Sequence, residues 1–166
     1  MAKTLYLMRH AKSSWDDPSM SDFERPLNDR GRRAASFMGS LIVERSIVPE
    51  IIICSPAKRA VETARLVIAA FGSGADVIFD DRIYEASPHR LLNVVHDILE
   101  KYASAMIVGH NPGTEGFIRF LTGSLVPMPT AACAIIDLNI KNWIDVDIDC
   151  GELRTVIRPR DEMNTK

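Results

Sequence analysis

Leu5-Tyr6-Leu7-Met8 is a short apolar run that passes directly into Arg9-His10 and then into the polar stretch Ala11-Lys12-Ser13-Ser14. A brief, continuously apolar run is how a buried parallel strand reads, and in open α/β sheets ligands bind just outside the carboxyl ends of such strands. An imidazole between two cations at that exit therefore faces a candidate anion site. An Arg-His pair after a strand is also common in surface loops, so the reading needs support from elsewhere in the chain.

Two further segments supply it. Ile51-Ile52-Ile53-Cys54 exits into Ser55-Pro56-Ala57-Lys58-Arg59, where Ser suits a helix cap and Pro the first turn. Ala105-Met106-Ile107-Val108 exits through Gly109 into His110-Asn111-Pro112-Gly113, again with a cap-like Asn followed by Pro. Each strand end delivers a cation or an imidazole. Helix N-termini would add backbone donors and positive dipole ends, and the sum describes a phosphate pocket.

Between and beyond these exits the chain alternates strands and helices. Ala34, Phe37, Met38, Leu41 and Ile42 form one apolar stripe and predict a helix over 31–46, and Val61, Ala64, Ile68 and Phe71 predict another over 57–71. Leu91, Leu92, Val95, Leu99 and Tyr102 predict a third after Pro88, and residues 112–121 a fourth, stopped before Gly123. Val77-Ile78-Phe79 is a short strand. Residues 132–140, 143–148 and 153–157 read as three strands, the middle one alternating Ile144, Val146 and Ile148 with aspartates, which fits an antiparallel extension of the sheet.

A chain of 166 residues with 46% hydrophobic content can bury a core as one domain over residues 1–166. Its net charge of −2 leaves no general basic surface, which argues against nucleic acid as a partner. Cys54, Cys133 and Cys150 are widely spaced without a C-x-x-C pattern and suggest neither a disulfide framework nor a zinc site. No run approaches a membrane span or the hydrophobic region of a signal peptide, so the cytoplasm is the expected compartment and a monomer the expected state. His89 and His96 lie seven apart on a predicted helix with no completing carboxylate or cysteine, so they read as surface residues and no metal or cofactor is expected.

Taken in order, Leu7-Met8-Arg9-His10-Ala11-Lys12-Ser13, Arg25-Pro26-Leu27 followed by Gly31, Ser55-Pro56 with Arg59-Ala60 and Thr63-Ala64, and Gly109-His110-Asn111-Pro112 resemble the histidine phosphatase superfamily, in its small SixA-like phosphohistidine phosphatase branch. The resemblance runs from Leu5 to about Pro112 and says little about the residues after Thr122. It implies a phosphoglycerate mutase-like fold, a three-layer α/β/α sandwich around a mainly parallel sheet with the antiparallel C-terminal extension. It also implies that His110 and Arg25 join His10 in one phosphate pocket.

Phosphoryl transfer asks for a nucleophile in line with the leaving group and fixed donors for the equatorial oxygens. His10 is the candidate nucleophile, and it can attack only as a neutral imidazole, a state that the charges of Arg9 and Arg59 favour. Each guanidinium can also grip phosphate as a fork, with a gross attraction of about 4 kcal/mol at ~4 Å and an effective dielectric near 20. Lys12 either fastens the loop, meets an acidic substrate or faces water. Glu85, before the Pro88 helix, is either a proton donor to the leaving group or only a partner of the helix dipole.

The leading expectation is a phosphatase that takes a phosphoryl group from a phosphohistidine-bearing protein onto His10 and then releases it to water. The alternatives are a phosphomonoesterase acting on a small phosphorylated substrate or phosphopeptide, and a phosphate-binding regulatory module without turnover.

Overall fold

The computed structural model describes residues 2–72 and 75–163. Strand β1 (Lys3–Arg9) is followed by helix α1 (Asp29–Glu44), β2 (Ile51–Cys54), α2 (Lys58–Ala69), β3 (Asp76–Phe79) and α3 (Pro88–His96). Then come β4 (Ser104–Gly109), α4 (Gly113–Thr122), β5 (Cys133–Leu138), β6 (Gly151–Ile157) and the short α5 (Pro159–Met163). The six strands form one sheet in the order β3-β2-β4-β1-β5-β6. β3, β2, β4 and β1 pair in parallel, while β5 runs antiparallel to both β1 and β6.

Period-two alternation along buried strands divides the core into two layers. Leu5 and Leu7 of β1, Ile51 and Ile53 of β2, and Ala105 and Ile107 of β4 face α3 and α4. Tyr6, Met8, Ile52, Cys54, Met106 and Val108 face α1 and α2 on the opposite side. The arrangement is the three-layer α/β/α sandwich with an antiparallel extension.

The helices start where local chemistry starts them. Asn28 caps α1 by accepting from the Gly31 N–H at 2.8 Å, and Ser87 caps α3 from the Arg90 N–H with Pro88 in the first turn. The helix after Pro88 ends at His96, so Leu99 lies beyond it and is exposed, while Ile98 and Tyr102 are buried. Pro112 stands at the cap position of α4, and Asn111 before it supplies the acceptor, its Oδ1 taking the Glu115 N–H at 3.4 Å while its Nδ2 donates to the Glu115 carboxylate and the Met128 carbonyl.

One expected strand is absent. Residues 143–145 form a 3-10 turn, with Trp143 and Val146 buried and Ile144 and Ile148 exposed at 62% and 60%. Buried positions three apart are the period of a 3-10 turn, and the indole of Trp143 is fixed by donating to the Tyr102 carbonyl at 2.9 Å. The exposed isoleucines made an apolar alternation without a buried face. The extension is therefore two strands, β5 and β6.

Gly31 positions the exit of β1. The loop after His10 pairs with residues 26–28: Ser14 N–H donates to the Pro26 carbonyl, Asn28 N–H donates to the Lys12 carbonyl, and Ser13 bridges Leu27. A Cβ on Gly31 would overlap the Lys12 carbonyl oxygen. Gly31→Ala is accordingly expected to cost about 1–3 kcal/mol, read as a lowered urea midpoint. An unchanged midpoint would mean that this turn moves freely off the Lys12 backbone.

Candidate active site

Strand register brings the three exits together. Arg9 pairs with Gly109, and Cys54 with Val108, so the next residues on each strand are His10, His110 and Ser55. Backbone bonds continue past the strands, from His10 N–H to the Gly109 carbonyl and from Ser55 N–H to the Val108 carbonyl, both at 3.0 Å. The His10 and His110 rings lie 5.1 Å apart, and each residue is buried.

Hydrogen-bond chemistry assigns the tautomer of each ring. His10 Nδ1 lies 2.7 Å from the Ala11 carbonyl, which only accepts, so Nδ1 carries the hydrogen and Nε2 keeps its lone pair. Arg59 Nε donates to that Nε2 at 3.3 Å. His110 Nε2 lies 2.7 Å from Ser55 Oγ, and the same hydroxyl accepts from the Ala57 N–H at 3.3 Å. Ser55 is fully buried and its hydroxyl hydrogen finds no acceptor other than Nε2 among the described residues, which assigns the His110 hydrogen to Nδ1, itself buried without a hydrogen-bond partner among those residues. Ser55 is therefore not the helix cap that its sequence position suggested: α2 starts at Lys58 with Ala57 at its cap, and the Ser55 hydroxyl serves His110 instead.

Both imidazoles are held neutral. Burial, ahead of the charges of Arg59, Arg9 and Arg25, pushes His10 down to about 4, against a weaker upward pull from the Ala11 carbonyl. Burial and then the His10 ring push His110 down to about 3. The arginines contribute in the expected direction, but desolvation is the larger cause.

Three arginines approach this pair. Arg59, on the first turn of α2, is 7% exposed, and Arg25 is 8% exposed. Arg25 is no solvated loop charge: Nε donates to the Ser14 carbonyl at 3.2 Å, Nη2 to Ser13 Oγ, and the guanidinium lies 3.3 Å over the Trp15 ring. Arg9 is half-buried; its Nη1 donates to the Met128 carbonyl at 3.1 Å, and its Nε has no hydrogen-bond partner among the described residues. Thr63, fully buried, accepts from the Ala11 N–H at 2.9 Å and donates to the Arg59 carbonyl at 2.7 Å, tying α2 to the loop that carries His10.

The side chains of Lys12 and Glu85 have no fixed partner among the described residues. The Lys12 side chain is exposed, without a hydrogen bond or ion pair among the described residues, and its backbone does the fastening. Glu85 is exposed, without a side-chain hydrogen bond among the described residues. Its neighbour Tyr84 is the residue that reaches in, packing edge-on against His110 at 5.5 Å.

Asp22 went unread in the sequence. Its carboxylate meets Arg25 Nη1 and Arg59 Nη2, each at 3.0 Å, and accepts from the Tyr84 hydroxyl at 2.6 Å. Tyr84 in turn holds that carboxyl below its usual range, with Arg59 assisting, and is itself pushed up to about 12. Outside this site, His96 bonds the Val146 carbonyl at 2.8 Å, and His89 is exposed. Among the described residues no three His, Cys, Asp or Glu gather to hold a metal ion, and no helix is long and apolar enough to cross a membrane.

A doubly covered, mainly parallel sheet whose strand ends converge on a buried neutral histidine and several guanidiniums defines an α/β enzyme that handles anionic groups. The chain belongs to the histidine phosphatase superfamily (branch 1), whose family pattern matches residues 5–104. An uncharacterized protein of Mycobacterium leprae is 30% identical over 168 residues, covering 92% of this chain and all (100%) of that one. An uncharacterized chloroplastic protein of Arabidopsis thaliana is 29% identical over 152 residues, covering 86% of this chain and 70% of the relative. Among solved structures, a protein of Agrobacterium tumefaciens proposed to be the phosphohistidine phosphatase SixA superimposes with a TM-score of 0.83 at 28% identity, over 96% of this chain and 99% of that one. The family and these neighbours make the chain a SixA-like hydrolase acting on phosphoryl groups.

Two measurements check the protonation states. A histidine held below its free value of 6.5 takes up a proton on unfolding, so the stability it contributes is complete above about pH 6.5 and is lost as pH falls towards about 4 for His10 and about 3 for His110. The urea midpoint should fall between about pH 7 and 4.5, and less steeply in His10→Ala; a flat wild-type profile would contradict neutral buried rings. In Ser55→Ala, 15N spectra should show His110 as a mixture of tautomers. A persistent Nδ1–H form would mean that other contacts fix it.

Proposed function

We propose that the protein is a phosphohistidine phosphatase in which His10 Nε2 takes the phosphoryl group. The observation that carries this reading is the pairing of a buried His10, whose Nδ1 is engaged by the Ala11 carbonyl and whose Nε2 faces Arg59, with a His110 whose buried Nδ1 has no partner among the described residues. The long Arg59 contact to Nε2 is readily exchanged for an approaching phosphorus atom, leaving Arg59 free to grip a phosphoryl oxygen. Arg9, Arg25 and the His110 Nδ1–H take the remaining oxygens, and these charges supply the stabilisation that a metal would otherwise bring.

The reaction balances in two steps. In the first, the bond from phosphorus to the substrate breaks as the bond to His10 Nε2 forms, and the leaving group takes a proton from solvent, which the attacking water of the second step gives back. In the second, water attacks phosphorus, inorganic phosphate leaves, and His10 returns to the neutral form. An imidazole leaving group departs with little help, whereas an alkoxide needs an acid at the moment of cleavage. Glu85 is exposed and held by no hydrogen bond among the described residues, so it is not fixed in place as that acid, which favours phosphohistidine over simple esters. Trp15 beside Arg25 and Phe23 beside Tyr84, exposed at 75% and 36%, suit a phosphorylated side chain presented on a protein surface.

Every group named comes from one chain, so a single copy and one domain over residues 1–166 suffice. Three free thiols fit a reducing cytoplasm.

His10→Ala should abolish turnover and labelling of the protein by a phosphohistidine substrate, with residual phosphate binding; undiminished turnover would refute the covalent route. Across a panel of phosphohistidine peptide and alkyl phosphates, the peptide should be cleaved at least about 100-fold faster in kcat/KM, with activity retained after chelation. Equal rates, together with a selective loss of ester hydrolysis in Glu85→Gln, would establish the phosphomonoesterase reading instead.

A further inference from the structure

Asp22 plays no part in the two steps above, yet it holds the two arginines that those steps require. Its Oδ1 accepts from Arg25 Nη1 and its Oδ2 from Arg59 Nη2, each at 3.0 Å, while its backbone carbonyl accepts from Arg59 Nη1 at 2.7 Å. Arg59 Nε is on His10. Each nitrogen of the Arg59 guanidinium therefore already has a partner, and two of the three partners belong to Asp22. Carboxylate and phosphate use the same guanidinium fork and the same N–H directions.

We infer that the Asp22 carboxylate is a built-in competitor for the phosphate subsite, displaced from Arg25 and Arg59 as the phosphoryl group enters and returning to them as inorganic phosphate leaves. The inference rests on the proposed pocket and adds to it the step by which product is expelled.

Burial decides which side of the contact yields. Arg25 and Arg59 are nearly buried, and α2 anchors Arg59. Asp22 belongs to a 3-10 turn of three residues, Asp22–Glu24, in which no residue is buried, so withdrawing it opens no core. Once phosphate is bound, like charge pushes the carboxylate outward. Tyr84 latches the closed position through its 2.6 Å bond to Oδ2, and Phe23, the next residue in the turn, packs edge-on against the Tyr84 ring at 5.1 Å. Release of the acid therefore frees the aromatic rim as well, which links entry of the phosphoryl group to rearrangement of the surface that a protein substrate would touch.

An internal ligand that occupies the site in most molecules weakens every external ligand by the closed-to-open ratio. Removing it should tighten binding, the opposite of what loss of a supporting side chain would do. The test is calorimetric titration of inorganic phosphate, with tungstate as a second probe, into wild type, Asp22→Asn and Tyr84→Phe. Asp22→Asn should lower the phosphate Kd about tenfold or more. Tyr84→Phe should lower it by a smaller factor; this variant keeps every charge in the site, so its gain cannot come from a changed field. The inhibition constant of phosphate against turnover should fall in parallel.

Unchanged or weaker binding in Asp22→Asn would overturn the inference, because Asp22 would then be holding the arginines ready for phosphate. Tighter binding in Asp22→Asn with no gain in Tyr84→Phe would overturn it too, reducing Asp22 to a nearby charge. If wild type and both variants all failed to bind phosphate or tungstate, the pocket itself would be misread. That result is distinct from a wild type that binds and an Asp22→Asn variant that gains nothing.

Discussion

Placing two imidazole rings 5.1 Å apart, both nearly out of water and both within the field of Arg9 and Arg59, leaves them one protonation state. A second proton on either would be a buried cation among cations, and burial alone already opposes it. Neutrality is thus imposed by the fold. Once both rings are neutral, each has one N–H and one lone pair, and the acceptor or donor beside it decides which nitrogen has which. The Ala11 carbonyl engages Nδ1 of one ring and the Ser55 hydroxyl Nε2 of the other, so the nitrogen left over is a lone pair on His10 and an N–H on His110. Nucleophile and anion donor are the same side chain type in the same tautomer, turned so that different ring nitrogens face the pocket.

That arrangement depends on strand register. A shift of one residue between β1 and β4 would place the two rings on opposite faces of the sheet. The β1 exit is held on several sides. Thr63 of α2 bonds the Ala11 N–H, and Gly31 lets α1 close on the Lys12 backbone. On the remaining side, the Ala131 N–H lies at hydrogen-bond distance from the carbonyls of both Arg9 and His10, and Arg9 itself bonds the Met128 carbonyl. The segment leading into β5 thus packs against the nucleophile's backbone, which gives the antiparallel extension a part in the site as well as in the sheet.

Legibility in the sequence followed physical locality. Arg9, His10, Arg59 and His110 could be read because each lies within five residues of the end of a buried parallel strand, where an apolar run marks the place. The helical stripes were legible for the same reason of periodicity. Asp22 and Tyr84 were not: one opens a 3-10 turn of three residues and the other follows a second such turn, both too short for any period, and they meet only through the fold, 62 positions apart. Asp22 three residues before Arg25 was the available local signal, since an acid at that spacing pairs readily with a buried arginine. Ser55 looked like a cap because Pro follows it, and only the arrival of His110 from β4 turns its hydroxyl into a tautomer lock. Trp143 was taken for a strand residue since β-branched and aromatic side chains alternate with aspartates there, and a pattern of exposure alone cannot say which set is buried.

The balance of charge around the pocket carries the last step. Arg9, Arg25 and Arg59 bring three positive charges to a site whose imidazoles bring none, and Asp22 offsets one of them. A site left with its full positive charge would bind phosphate well and release it poorly, because the same attraction acts on substrate and product. A site permanently neutralised by a buried acid would lose the field that phosphoryl transfer requires. An exposed acid on a short turn avoids both outcomes: it costs little to move, and it leaves the buried guanidiniums in place when it does. The mobile partner is the one whose desolvation is smallest, so the energy needed to exchange carboxylate for phosphate stays within the reach of a single ligand's binding.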